Sequence, residues 1–199
     1  MKLWLCRHAP VLLDAGICYG ASDVQADSAG TQLAAAQLAQ VLPRGCPVWA
    51  SPLTRTRQLA DALSGLRPDL GTVLWDARLQ EMDFGRWEMQ SWDSIGQPAI
   101  DEWVSHFAHH PVGGAESTQN VVNRVALMVL ETQALNVPDV VWVTHAGVIR
   151  AVQYLLQAPH KLPLSCDTWP VNAPQPGAYA CLDLAGFDGF KMSPASPFC

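Results

Sequence analysis

The chain is poor in charge and has no apolar run long enough to cross a membrane. Charged residues make up 15% of its 199 residues, and its longest apolar stretches fall well short of the roughly 20 residues that a membrane helix needs. The 18 acidic residues outnumber the 12 basic ones, which gives a formal net charge of −6. Such a chain lacks the basic surface typical of nucleic-acid-binding proteins, so we expect neither nucleic acid nor a membrane as a partner.

The cysteines form no C-x-x-C pair, and the apolar opening stretch ends at Arg7 and His8, too early for the core of a secretion signal. We therefore expect reduced thiols, most of them buried, in a cytoplasmic protein. His106, His109 and His110 lie close together in sequence, but no cysteine or carboxylate stands near them at zinc-ligand spacing. We predict a polar helix end there and no metal site.

Hydrophobic residues, in contrast, make up 49% of the chain, enough for a sizeable core in a chain of one-domain length. Short apolar runs that are typical of strands alternate with Ala- and Leu-rich stretches that are typical of helices. This order predicts an α/β fold, a three-layer αβα sandwich with a mainly parallel central sheet. The predicted strands are 3–6, 47–50, 72–75, 139–143 and 178–184, and the predicted helices are 30–42, 52–66, 116–135 and 146–156. Ser28 and Ser51 are the expected N-caps of the first two helices, with Pro52 as the first residue of the second.

Residues 79–115 are irregular and rich in Trp, Gly and His. We interpret residues 1–199 as a single domain in which about 86–115 form a small helical lid or insertion. The aromatic residues of this stretch suit a lid over a small apolar leaving group, or else they belong to the core; they are Trp87, Trp92, Trp103 and Phe107. The tail from Gly186 is expected to be loose.

Two histidines directly follow predicted parallel strands. His8 comes after Arg7 at the end of the first strand, and His145 ends the fourth. Ligands of such sheets bind beyond the carboxyl ends of the strands, so both imidazoles should face one crevice. Arg55 lies in the first turns of the helix after the second strand and should face that crevice. Arg57 points about 200° away from Arg55 around the helix, so we expect it to face solvent.

Such a crevice would gather imidazole and guanidinium groups beside helix N-termini, which favour anions. A phosphoryl group suits it, because guanidinium forks and imidazolium bind phosphate oxygens. Histidine is also a competent nucleophile, so transfer to His8 followed by attack of water would hydrolyse a phosphomonoester. The departing alkoxide needs a proton. Glu81 suits that role because its apolar setting favours a protonated carboxyl group, and Asp83 is the rival acid.

Five blocks of the sequence, taken together and in order, resemble those of the histidine phosphatase superfamily, which contains phosphoglycerate mutases and many phosphatases. The blocks are Arg7-His8, Ser51-Pro52-Leu53-x-Arg55, Leu79-x-Glu81-x-x-x-Gly85-x-Trp87-Glu88, Gly114-Ala115-Glu116-Ser117 with Arg124-Val125, and Thr144-His145-Ala146-Gly147. The resemblance runs from residue 3 to about residue 150. It implies a covalent phosphohistidine at His8, a phosphoryl group held by Arg7, Arg55 and His145, a proton donated by Glu81, and no metal or cofactor.

Within the superfamily, the opening residues 1–8 and the run Phe84-Gly85-x-Trp87-Glu88-Met89 are similar to the α-ribazole-5′-phosphate phosphatases of cobalamin biosynthesis. This similarity implies a small phosphorylated substrate such as α-ribazole 5′-phosphate, with Tyr19 and Gly20 near the leaving group. The chain departs from the family pattern at Ala9, where the family usually has glycine, and at Leu59, where it usually has threonine. The family's usual asparagine on the loop after the nucleophile has no counterpart before Gly16.

Several alternatives remain open within this interpretation. A phosphoglycerate mutase-like transferase would need a closed site and a longer insertion than this short chain offers. A phosphohistidine or broad-specificity phosphatase would suit a more open site. A non-catalytic phosphate-binding module on the same fold is disfavoured, because the chain retains all five chemical positions. The sequence does not fix the oligomeric state, and a dimer is one option.

Overall fold

The computed structural model describes residues 1–157, 164–185 and 187. Its five strands form one sheet in the order β3-β2-β4-β1-β5. Four of them are parallel, and β5 runs antiparallel to β1 at the edge. The strands are β1 (Lys2–Arg7), β2 (Val48–Ala50), β3 (Leu74–Trp75), β4 (Asp139–Thr144) and β5 (Tyr179–Asp183). The prediction of a mainly parallel sheet in an α/β fold is therefore confirmed.

Helices cover both faces of the sheet, as a three-layer sandwich requires. The helices are α1 (Ser28–Val41), α2 (Thr54–Leu66), α3 (Trp92–Ile95), α4 (Gln97–Ser105), α5 (Thr118–Ala134) and α6 (Ala146–Leu156). Successive residues of β4 point to opposite faces, so Val141 and Val143 pack with α1 and α2, whereas Val140 and Trp142 pack with α5 and α6. Burial on both faces explains why β4 is an uninterrupted apolar run.

The register of the sheet brings three strand ends level with one another. Arg7 of β1 pairs with Thr144 of β4, and Ala50 of β2 pairs with Val143. The residue that follows each strand therefore emerges at the same edge, and these residues are His8, Ser51 and His145.

The serine N-caps predicted for the first two helices, Ser28 and Ser51, are both wrong. The cap of α1 is Asp27, whose carboxylate accepts the Gly30 N–H, and Ser28 is already helical. The second helix begins at Thr54, and its N-cap, Leu53, makes no side-chain capping bond. The carboxylate of Asp23 accepts the Thr54 N–H instead, a partner 31 residues away that local sequence does not reveal.

Residues 77–114 contain α3, α4 and three short 3-10 helices. Their aromatic side chains pack edge to face on one another, as Phe84 does on Trp92 and on Trp103, and they join the core layer beside α5 and α6. Most of the tail from Gly186 lies outside the described residues, although Phe187 is described and buried.

The described cysteines all carry free thiols: Cys6, Cys18 and Cys46 are buried, whereas Cys166 and Cys181 are exposed. Cys199 lies outside the described residues. Among those residues, no helix is both long and apolar enough to span a bilayer, and no three His, Cys, Asp or Glu side chains are grouped to hold a metal ion.

Candidate active site

The two strand-end histidines meet at the carboxyl edge of the sheet. The ring centroids of His8 and His145 lie 5.2 Å apart. The two residues are only 2% and 0% exposed. Because β1 and β4 are adjacent and parallel, their carboxyl ends bring both rings together at this edge.

The hydrogen bond of His8 decides which of its ring nitrogens can attack. Its Nδ1 lies 2.7 Å from the carbonyl oxygen of Ala9. A carbonyl oxygen can only accept, so Nδ1 carries the proton and Nε2 carries the lone pair of the neutral ring. Burial lowers the pKa of His8 to about 3, and the charges of Arg55 and Arg7 add to that effect while the bond to Ala9 opposes it. The imidazole is therefore neutral and nucleophilic at pH 7.

Arg55 is completely buried beside these rings. Its Nε donates to Nδ1 of His145 at 3.2 Å, while Nη1 and Nη2 donate to the carbonyl oxygens of Ser22 and Gly20 at 2.8 and 2.6 Å. Burial lowers the pKa of Arg55, and the charge of Glu81 acts in the opposite direction. An arginine side chain stays protonated even so. The site thus holds a fixed positive charge.

His145 has protein partners at both ring nitrogens. A guanidinium group only donates, so Nδ1 accepts from Arg55 and the ring proton lies on Nε2, 2.8 Å from the hydroxyl oxygen of Ser51. Burial lowers the pKa of His145 well below its usual value, and Arg55 and His8 add to this effect. In this structure the Nδ1 atom of His145 orients Arg55. A direct contact between His145 and a phosphoryl group would replace one of the two hydrogen bonds of the His145 ring.

Arg7 reaches the same edge because it directly precedes His8. Its Nη1 donates to the carbonyl oxygen of Pro174 at 2.9 Å. Its buried Nε has no hydrogen-bond partner among the described residues. Burial lowers the pKa of Arg7, and the charges of Tyr19 and Glu81 oppose this. Arg57, in contrast, lies outside the site, with its guanidinium 4.5 Å from the centroid of the Trp75 ring.

Glu81 lies at the amino end of α6. Its Oε2 accepts the N–H of Gly147 at 3.0 Å, and its Oε1 accepts the N–H of Met82 at 3.1 Å. A Cβ atom at position 147 would stand 2.1 Å from Oε1, so glycine is required for this approach. The rival acid, Asp83, is exposed and accepts the N–H of Gly85.

Two clefts meet at Glu81. A polar cleft of about 470 Å³ is lined by Gln80, Asp83, Glu116, Asn120 and Arg124 in addition to Glu81. A smaller cleft of about 210 Å³ has mainly aromatic walls, formed by Phe84, Trp103, Phe107 and Trp169, with Arg150 and Thr118 also at its surface.

Tyr19 and Gly20 surround the guanidinium of Arg55. The Tyr19 ring lies with its centroid 5.4 Å from Cζ of Arg55, and Gly20 supplies a carbonyl acceptor. A Cβ atom at position 20 would lie 1.9 Å from the carbonyl oxygen of Met82, so only glycine fits. The structure thus places both residues on Arg55, and their place near the leaving group, which the sequence similarity implies, stays a prediction.

Ser51 and Glu88 also belong to this site, although neither is among the site residues predicted from sequence. Ser51 was interpreted as a helix cap but bonds to His145, and Glu88 binds the loop whose carbonyl groups hold Arg55. Both residues belong to the sequence blocks that resemble the superfamily, Ser51 to the second block and Glu88 to the third. Their place in these blocks could have indicated that they belong to the site.

Comparisons with known proteins identify the family to which the chain belongs. A family model described as the histidine phosphatase superfamily (branch 1) matches residues 3–169. A Hydrogenobacter thermophilus protein provisionally named phosphoserine phosphatase 2 is 28% identical over 161 residues, 78% of this chain and 78% of that protein. A mycobacterial glucosyl-3-phosphoglycerate phosphatase is 26% identical, with a TM-score of 0.67 over 79% of this chain and 80% of that one. The α-ribazole phosphatase of Shigella flexneri has a TM-score of 0.75 over 94% of this chain and 92% of that one, and its 22% identity shows a likeness of fold alone.

Proposed function

The chain belongs to branch 1 of the histidine phosphatase superfamily and is a phosphatase, and from that premise we propose that it hydrolyses phosphomonoesters through a phosphohistidine on His8. The observation that carries this proposal is the buried, neutral His8, whose lone pair lies on Nε2, beside His145 and the buried guanidinium of Arg55. The nucleophile and the positive charge that would hold its target therefore lie side by side.

In the first proposed step, Nε2 of His8 attacks phosphorus and the bond from phosphorus to the ester oxygen breaks. Arg7 and Arg55 stabilise the charge on the phosphoryl oxygens, with His145 beside them. Glu81 transfers its proton to the departing alkoxide. The carbonyl group of Ala9, which accepts the Nδ1 proton, stabilises the positive charge that the ring gains.

In the second step, water attacks the phosphohistidine and the N–P bond breaks. The Glu81 carboxylate takes a proton from this water, which returns the enzyme to its starting state. Inorganic phosphate then leaves. Both steps use the same five side chains, so one site serves the whole cycle.

We further propose α-ribazole 5′-phosphate as the substrate. The aromatic cleft beside Glu81 supports this choice, since its walls can stack on a flat bicyclic base while the phosphoryl group lies at His8. Trp103 and Phe107 come from the stretch of about 86–115, which in this proposal forms a lid over the leaving group.

Reactions with ³²P-labelled substrate, quenched with alkaline detergent, test the covalent step. We expect wild-type protein to retain a label that is acid-labile and alkali-stable, as a phosphohistidine is, and His8→Asn protein to retain none and to hydrolyse p-nitrophenyl phosphate about a thousandfold more slowly or worse. Equal hydrolysis by the two proteins would contradict the proposal.

A substrate panel tests the leaving group. We expect kcat/KM for α-ribazole 5′-phosphate to exceed that for phosphoserine, 3-phosphoglycerate and a phosphohistidine peptide. The variant Phe107→Leu should reduce this preference while leaving hydrolysis of glycerol 3-phosphate unchanged. Phosphoserine hydrolysed as efficiently as α-ribazole 5′-phosphate would overturn the substrate assignment, and transfer of the phosphoryl group to a second hydroxyl of the substrate would indicate a mutase.

A further inference from the structure

The carboxylate of Glu88 takes no part in the proposed steps but accepts five hydrogen bonds. Oε2 accepts the N–H groups of Gly20 and Ser22 at 2.9 and 3.2 Å and the Ser22 hydroxyl at 2.6 Å. Oε1 accepts the N–H groups of Ala21 and Phe84 at 2.9 and 3.0 Å. Burial raises the pKa of Glu88, but these bonds outweigh it and the pKa lies below the usual value. The group is therefore a fixed anion.

The loop bound by Glu88, residues 20–22, holds Arg55 with its opposite side. The peptide group between Gly20 and Ala21 connects the two charges directly, since its carbonyl oxygen accepts from Nη2 of Arg55 and its N–H donates to Glu88. The Ser22 carbonyl group accepts from Nη1 of the same guanidinium. The dipole of the bridging peptide is thereby aligned between a carboxylate and a guanidinium, which stabilises this orientation of the loop.

This arrangement balances the charge of Arg55 without neutralising it by direct contact. No carboxylate within the described part of the chain forms a salt bridge with Arg55. A direct ion pair would compete with a phosphoryl group for the guanidinium. Holding the carboxylate one peptide group away leaves Arg55 oriented and still attractive to an anion.

The same carboxylate also ties the loop to the segment that carries the proposed proton donor. Phe84, which donates its N–H to Glu88, lies three residues after Glu81. Gly20 packs so closely on the carbonyl oxygen of Met82 that it has no room for a side chain. One residue thus fixes the position of the Arg55 loop relative to the Glu81 segment.

We propose that Glu88 is a positioning residue for phosphoryl transfer, which sets Arg55 through loop 20–22 and aligns it with Glu81. This inference rests on the proposed function, in which Arg55 binds the phosphoryl group. Glu88 itself does not touch the substrate.

A double-mutant cycle tests this role with Glu88→Gln, Arg55→Lys and the double variant. Glutamine keeps the shape but presents an NH₂ group to backbone donors, so we expect Glu88→Gln to lower kcat/KM for p-nitrophenyl phosphate by at least about tenfold and to weaken inhibition by vanadate. In the Arg55→Lys background the same change should cost less than about threefold, because the group it positions is already altered. Additive losses would overturn the proposal, since a general effect on folding would reduce both backgrounds equally.

Two further variants keep the test decisive. Glu131→Gln removes an exposed carboxylate that pairs with Arg78 on the surface, and it should leave kcat/KM unchanged. If Glu88→Gln does not fold, Ser22→Ala removes one of the five bonds, and we expect weaker vanadate inhibition with an unchanged melting temperature. Wild-type vanadate affinity in Ser22→Ala would then refute the proposal.

The outcomes also separate this inference from the proposed function. A His8→Asn protein that remains active would refute the phosphohistidine mechanism, whatever Glu88 does. An inactive His8→Asn protein together with a fully active Glu88→Gln protein would refute the positioning role alone.

Discussion

At the scale of single residues, a specific hydrogen-bond partner fixes the tautomer of each histidine in the proposed site. The Ala9 carbonyl group fixes the proton of His8 on Nδ1, and Arg55 fixes the ring of His145 by donating to it. Ala9 departs from the glycine that the family usually has, yet its carbonyl oxygen still makes this contact. The choice of attacking atom therefore depends on backbone geometry that other residues at position 9 can also provide.

The role of Glu81 leads to a prediction that depends on the leaving group. Glu81→Gln removes the proton that an alkoxide needs, so we expect a large fall in kcat, about a hundredfold or more, for alkyl phosphates. For p-nitrophenyl phosphate, whose leaving group departs without a proton, the fall should be much smaller. Steady-state kinetics with the two substrates measure the difference, and an equal fall for both would show that Glu81 is not the donor.

At the scale of helices and strands, the first turn of α6 is built around the carboxyl group of Glu81. Gly147 donates its N–H to that group and leaves no space for a Cβ atom. Local helix propensity would favour alanine over glycine at this position. The close approach of Glu81 thus explains the glycine in the Thr144-His145-Ala146-Gly147 block.

A substitution at this glycine tests the contact. Gly147→Ala should displace Glu81 and reproduce the leaving-group dependence of Glu81→Gln, with the helix still formed. The matched control is Gly65→Ala in α2, where no atom lies within 4 Å of the added Cβ; it should retain full activity and wild-type or greater stability. Normal alkyl phosphatase activity in Gly147→Ala would contradict the assigned contact.

The helices also show which element boundaries could be predicted from sequence: the bounds of α6 could, and the start of α2 could not. α6 lies at 146–156 as expected, because its apolar positions repeat with helical spacing and His145 directly precedes it. The predicted start of α2 is wrong because Ser51 and Pro52 form a typical local start signal, whereas the Ser51 hydroxyl bonds to His145, 94 residues away at the N-cap of α6. A tertiary hydrogen bond here overrides a local capping preference.

At the scale of the whole molecule, two neutral buried histidines make stability depend on pH. Both pKa values are lowered in the folded protein, that of His8 to about 3, from an ordinary value of 6.5. Below pH 6.5 the unfolded chain binds protons that the folded protein does not, so stability falls as the pH falls towards the folded pKa.

We expect the free energy of unfolding to decrease by roughly 2 kcal/mol between pH 7 and pH 5.5, with each histidine contributing about half. Urea denaturation at the two pH values measures this change. The variant His8→Asn should lose about half of the pH dependence, whatever its stability at pH 7. Identical pH dependence in wild type and variant would show that His8 is not neutral in the folded protein.

The sequence by itself determined the α/β order of the elements and the histidines that follow β1 and β4, because hydrophobic periodicity and strand-end motifs are local. Only the tertiary structure decided which groups meet: His145 with Ser51, Arg55 with loop 20–22, and that loop with Glu88. These contacts join residues between 33 and 94 positions apart. No local pattern specifies such pairs, because they depend on the sheet register and on how the loops pack over its carboxyl edge.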